Sequence, residues 1–70
     1  MMPLILANLG EENTVKKING KPEIKQHLEN LGFAAGGTVT VISRISGNLI
    51  VIVKNTRVAI SKEMAQKIMV

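Results

Sequence analysis

The sequence predicts a mainly β fold, a small barrel of about five strands with one inserted helix and a short C-terminal helical turn. Three observations lead there. The apolar residues fall in short runs, the longest being Leu49 to Val53, and Gly or Asn separates them. Helical periodicity is confined to one stretch, bracketed by Pro22 and Gly32. The 70 residues are 46% hydrophobic, with no cysteine and Phe33 as the single aromatic, so aliphatic packing has to build the core. A disulfide or a thiolate metal site is excluded. That apolar content is too high for a disordered chain. One domain, residues 1–70, is expected. In so short a chain, closing the sheet removes edges that would invite aggregation.

Taken in order, Met1 to Leu9 has an apolar stretch without a basic leader region, too short for a signal peptide. Thr14 to Ile18 reads as a half-buried strand carrying Val15 and Ile18, and Gly20 closes it. Pro22 suits the first turn of a helix, where its missing N–H is no loss. From Glu23 to Leu31 the pattern is helical. Ile24, Leu28 and Leu31 line one face, and Glu23, Lys25, Gln26, Glu29 and Asn30 lie opposite. Gly32 can take the left-handed conformation that ends a helix, and Phe33 can fold back on the last turn. Gly36 and Gly37 mark a turn. Thr38 to Ile45 is a strand with Val39 and Val41 inward, and the adjacent Val41 and Ile42 predict a slip of phase, as at a bulge. Ser46, Gly47 and Asn48 form the next turn. Leu49 to Val53 is apolar on both faces, so it is central or is covered outside by Leu4 to Ala7 or by a partner. Asn55 and Thr56 read as a tight hairpin turn before the strand Arg57 to Ile60. Ser61 is a candidate N-cap for a helical turn through Gln66, without a capping box because position 64 is Met. Ile68 to Val70 makes the last strand.

Little in this chain can do chemistry. There is no Cys and no Asp, and His27 is the only imidazole; Glu could replace Asp in a nucleophile–base–acid set, but all five Glu have simpler surface roles. An enzyme is not expected. Glu23 and His27 stand four residues apart and can share a helix face. They are the candidate metal ligands, for Fe2+ or Zn2+ held weakly or with ligands shared between two chains, because a closed site needs about four. No resident cofactor is expected. The Gly36–Gly37 turn feeds a strand rather than a helix N-terminus, which argues against a phosphate cradle.

The formal charge is +4, from nine Lys and Arg against five Glu. An alternative reading is therefore a small basic nucleic-acid-binding barrel of the SH3-like or Sm-like kind. Single-strand readers, however, stack bases on aromatic platforms, and only Phe33 is on offer. No run approaches the ~20 apolar residues of a membrane span, and the chain reads as cytoplasmic. The apolar ridge of Leu28, Leu31, Gly32 and Phe33, followed by Ala34 and Ala35, is the candidate partner-binding surface.

Leu28, then Leu31-Gly32-Phe33, Gly36, the strand with Val39 and Val41, Gly47, Leu49 to Val53, Arg57 with Val58-Ala59-Ile60, and Ala65 followed by Ile68 and Val70 together resemble the FeoA family. The ordered series carries the resemblance, from about Leu6 to Val70. It implies an SH3-like barrel with the 23–31 helix inserted between the first two strands. It also implies a cytoplasmic accessory role in ferrous-iron transport, docking on the G-domain side of the FeoB membrane transporter. Contact with the membrane would run through that partner alone, with no nucleic acid involved. Transition-metal binding is commonly ascribed to the fold, and oligomerisation is left open.

Overall fold

The computed structural model describes residues 1–70. A 3-10 turn at Leu4–Leu6 precedes β1 (Glu12–Thr14), β2 (Lys17–Ile18), α1 (Pro22–Asn30), β3 (Thr38–Ile45), β4 (Asn48–Val53), β5 (Thr56–Ile60), α2 (Lys62–Ala65) and β6 (Ile68–Met69). The strands form a four-stranded antiparallel sheet in the order β1-β3-β4-β5 and a second sheet pairing β2 with β6. Both sheets contribute to one core of Leu4, Ala7, Val15, Leu28, Phe33, Val39, Val41, Leu49, Val51, Val53, Ile60, Ala65, Ile68 and Val70. All of these residues are aliphatic except Phe33, and no polar side chain is buried among them.

The strand expected at Thr14 to Ile18 resolves into two. Val15 donates its N–H to Gly37 at 2.8 Å, toward the large sheet, and Lys16 donates to Met69 at 2.8 Å, toward the small one. Successive main-chain donors of an extended strand point to opposite edges, so the strand passes from one sheet to the other at this point. Val15 turns into the core there. β1 also begins earlier, at Glu12, in polar residues that leave no hydrophobic pattern. On the far side of β6, Met2 and Val70 exchange hydrogen bonds of 2.8 and 2.7 Å, and Pro3 pairs with Met69. The chain's two ends thereby help close the barrel.

α1 starts at Pro22 and ends on Leu31 as its C-cap, one residue earlier at each end than the periodicity predicts. Gly32 takes φ +110°, and its N–H donates to Glu29 at 2.9 Å while that of Phe33 donates to Leu28 at 3.0 Å. These are the two bonds of a Schellman motif, and the apolar pair that accompanies it, Leu28 with Phe33, lies wholly in the core. β3 spans the predicted residues, with the register shift between Val41 and Ser43 that the adjacent Val41 and Ile42 announce. β4 is central, between β3 and β5. Both hairpin turns contain two residues of positive φ, Ser46–Gly47 and Lys54–Asn55. The second turn therefore sits one residue earlier than the expected Asn55–Thr56, because Thr56 already pairs with Val53. A β-branched residue tolerates left-handed backbone poorly, whereas Asn accepts it. Ser61 caps α2 by accepting a hydrogen bond from the Met64 N–H at 3.3 Å.

Candidate docking surface

The partner-binding residues read from the sequence divide into two classes. Leu28 and Phe33 are each 0% exposed, and both lie in the core beneath the helix end. Their side chains offer no surface, which corrects the expectation that all four residues form an exposed ridge. The Schellman turn is the cause, since it folds Phe33 back under α1. Leu31 and Gly32 are half-buried. A Cβ built on Gly32 would stand 3.6 Å from the Val53 methyls and 3.7 Å from the Lys54 stem, so the turn leans on the β4–β5 hairpin.

Beside the same helix–turn segment lies an open groove of about 270 Å³. Ile18 from β2 and Ala34 and Ala35 after the turn make its apolar lining, and Lys25 and Glu29 from α1 supply the charged part. Lys25, Glu29, Ala34 and Ala35 are all exposed. Helical spacing sets Lys25 and Glu29 one turn apart on one side of α1. The groove's residue types fit an apolar side chain flanked by polar or charged groups. Of its lining, only Ala34 and Ala35 were legible in the sequence as part of an apolar ridge. In the sequence, Ile18 shows only as a strand residue, and Lys25 and Glu29 only as part of the helix face opposite Ile24, Leu28 and Leu31.

Glu23 and His27 both lie on the exposed face of α1. No cluster of three or more His, Cys, Asp or Glu able to hold a metal ion exists in the molecule. Two ligands at i, i+4 do not compose the about four-fold coordination of a closed transition-metal site, so these residues do not fit a resident ion.

The outer face of the large sheet is a second exposed surface. Cross-strand rows place Thr40, Ile52 and Arg57 side by side, and Ser43, Ile50 and Ala59 in the next row. Ile50 and Ile52 are half-buried, and Ile45 is 59% exposed at the end of β3. The N-terminal segment does not cover this face. Leu4 and Ala7 join the core instead, and Arg44 holds their segment by donating to the carbonyls of Ile5, at 3.0 Å, and of Ala7. Nothing in the sequence pairs Arg44 with that segment, because the contact joins residues far apart in the chain.

Comparison with known proteins gives a consistent answer. The FeoA domain family model matches residues 2–70. A protein of Methanocaldococcus jannaschii named "Putative Fe(2+) transport protein A" is 39% identical over 70 residues, covering 100% of this chain and 85% of that one. The crystal structure of an iron uptake regulatory protein (FeoA) superposes with a TM-score of 0.88 at 30% identity, over 96% of this chain and 89% of the other. FeoA of Stenotrophomonas maltophilia complexed with zinc, described as a procaryotic SH3 domain protein, superposes with a TM-score of 0.84 at 24% identity, over 99% and 88% of the two chains.

Proposed function

The chain belongs to the FeoA family, and from that premise we propose that it is a cytoplasmic accessory protein of ferrous-iron transport that acts by docking onto the G-domain side of a FeoB-type membrane transporter. The observation that carries this reading is the groove of Ile18, Ala34 and Ala35 with Lys25 and Glu29 at its side. It adjoins the half-exposed Leu31 and Gly32, which together with Ala34 and Ala35 form the contact surface. Leu28 and Phe33 support it from below without touching the partner. The barrel does no bond-making chemistry of its own. No helix is long and apolar enough to cross a membrane, in keeping with a protein that meets the bilayer only through its partner.

Ferrous iron is the transporter's cargo in this reading, not a resident of the barrel. Contact of Fe2+ or Zn2+ with Glu23 and His27 is weak and needs ligands from a second chain. Metal titration with a His27→Ala control checks it, and a stoichiometric site unaffected by that change excludes the pair.

The docking reading is tested by titrating the chain against the isolated cytoplasmic G domain of a FeoB-type transporter. Ala34 is exposed, so Ala34→Glu fills the groove while sparing the core. The expected result is binding by the parent chain and at least about tenfold weaker binding by the variant, ~1.4 kcal/mol, with unchanged thermal melting. Absence of binding by the parent chain, together with salt-sensitive capture of RNA, would instead support the basic nucleic-acid-binding barrel.

A further inference from the structure

β5 is paired on one side only. Across the Lys54–Asn55 turn, Val53 opposes Thr56 and Val51 opposes Val58. In a two-residue hairpin the pair flanking the turn exchanges both hydrogen bonds, and every second pair does so thereafter. Thr56, Val58 and Ile60 thus direct their main-chain groups to β4, while Arg57 and Ala59 direct theirs away from it. No turn, loop or side-chain hydrogen bond takes up the N–H or C=O of either residue. Both residues are exposed. A strand edge of this kind is a template for another extended chain.

The charge around the edge decides which chain fits. From Asn30 to Lys62, a stretch that contains all of β3, β4 and β5, there is no Asp or Glu, while Arg44, Lys54, Arg57 and Lys62 are present. Lys54 stands in the turn before β5, Arg57 within it and Lys62 just after it, and all three are exposed. A second copy of the chain could pair with this edge about a two-fold axis at Val58, with Arg57 opposite Ala59 of the other copy. That register brings the two Arg57 residues into diagonal contact. Like charges facing each other across a ladder are destabilising. The paired arginines therefore work against self-pairing in this register.

We infer that the β5 edge accepts an extended acidic segment of a partner protein as an added strand. The segment's main chain pairs with Arg57 and Ala59. On the outer face it places a carboxylate opposite Arg57 and, two residues away, an apolar side chain opposite Ala59 in the row that holds Ile50. Further carboxylates meet Lys54 and Lys62. This surface is separate from the groove of the docking reading. It requires only that the protein has a protein partner.

A capped decapeptide tests the inference, with threonine at odd positions and glutamate and valine alternating at even ones. A twin carries lysine in place of glutamate. Both are added to the 15N-labelled chain, and amide hydrogen exchange is followed residue by residue. The acidic peptide is expected to slow exchange at the Arg57 and Ala59 amides about tenfold or more, and added salt to weaken the effect. The lysine twin leaves them unchanged. Ala59→Pro removes an edge donor but no bond to β4 and abolishes the effect; Arg57→Glu, which keeps every main-chain group, reverses the preference between the peptides. Ala34→Glu leaves the peptide effect intact, so this test stands whether or not the groove docks a transporter. Equal response to both peptides, no response to the acidic one, or protection of Arg57 and Ala59 that grows with chain concentration in the absence of peptide overturns it.

Discussion

At the scale of single residues, the helix end depends on Gly32. Its φ of +110° lies where an L side chain is strained, although an added Cβ would make only ordinary van der Waals contact, with the Val53 methyls at 3.6 Å. Any penalty is therefore conformational rather than steric. Gly32→Ala is expected to lower stability by about 1–2 kcal/mol, read as a lower urea midpoint at unchanged slope. The neighbouring core plug costs more. Phe33 is the largest buried side chain and is 0% exposed, so Phe33→Ala should lose ~3–5 kcal/mol. A domain of this size holds about 4–10 kcal/mol in total, and the variant is expected to show a broad, early melt by circular dichroism. The spacing of Leu28, Leu31, Gly32 and Phe33 made this helix end legible in the sequence. Which of the four face solvent was not legible, because a hydrophobic residue after a helix cap reads the same whether it folds under the helix or stands out as a ridge. Glu23 and His27 were legible as a pair four residues apart, and both side chains are exposed on α1.

Elements show the same division between local and long-range information. α1, β3, β4, α2 and β6 follow from periodicity, glycines and the Ser61 cap, all properties of neighbouring residues. The division of the first strand into β1 and β2 does not, since it depends on Gly37 and Met69 reaching Val15 and Lys16 from distant parts of the chain. The open edge of β5 was illegible for a related reason: strand order, not strand pattern, decides which strand lacks a neighbour. The hairpin turns offer a test at this scale. Ser46 takes φ 49° before Gly47 at φ 84°, and two-residue turns with both values positive prefer Asn followed by Gly. Asn tolerates the left-handed region better than Ser because its side chain can hydrogen-bond locally. Ser46→Asn should raise stability by a few tenths of a kcal/mol, up to ~1, seen as a higher melting temperature. At the other end of the sheet, Ser61→Ala removes the acceptor of the Met64 N–H and should cost about 0.5–1 kcal/mol. The small value is expected because that bond is long, at 3.3 Å.

Across the whole molecule, stability rests on closing a barrel with few residues to spare. A chain of 70 residues buries only about 60% of the surface it exposes when unfolded. Much of that burial joins distant segments: Met2 with Val70, Arg44 with the carbonyls of Ile5 and Ala7, and Leu4 with the common core. Loss of any of these contacts opens the seam between N-terminal segment and sheets rather than one element. Leu4 is the best probe, being 0% exposed in a 3-10 turn that has no sheet bonds of its own. Leu4→Ala removes buried methyls from between the sheets and should cost ~2–5 kcal/mol. If closure is cooperative, the loss appears throughout, and amide exchange in β4 accelerates by the same factor as exchange in β6. If the N-terminal segment is instead a separate flap, exchange rises only at Met2, Val70 and the small sheet, while β3 and β4 keep their protection. The shared core favours the first outcome, because Leu4 belongs to the same buried cluster as Val41, Val51 and Ile68.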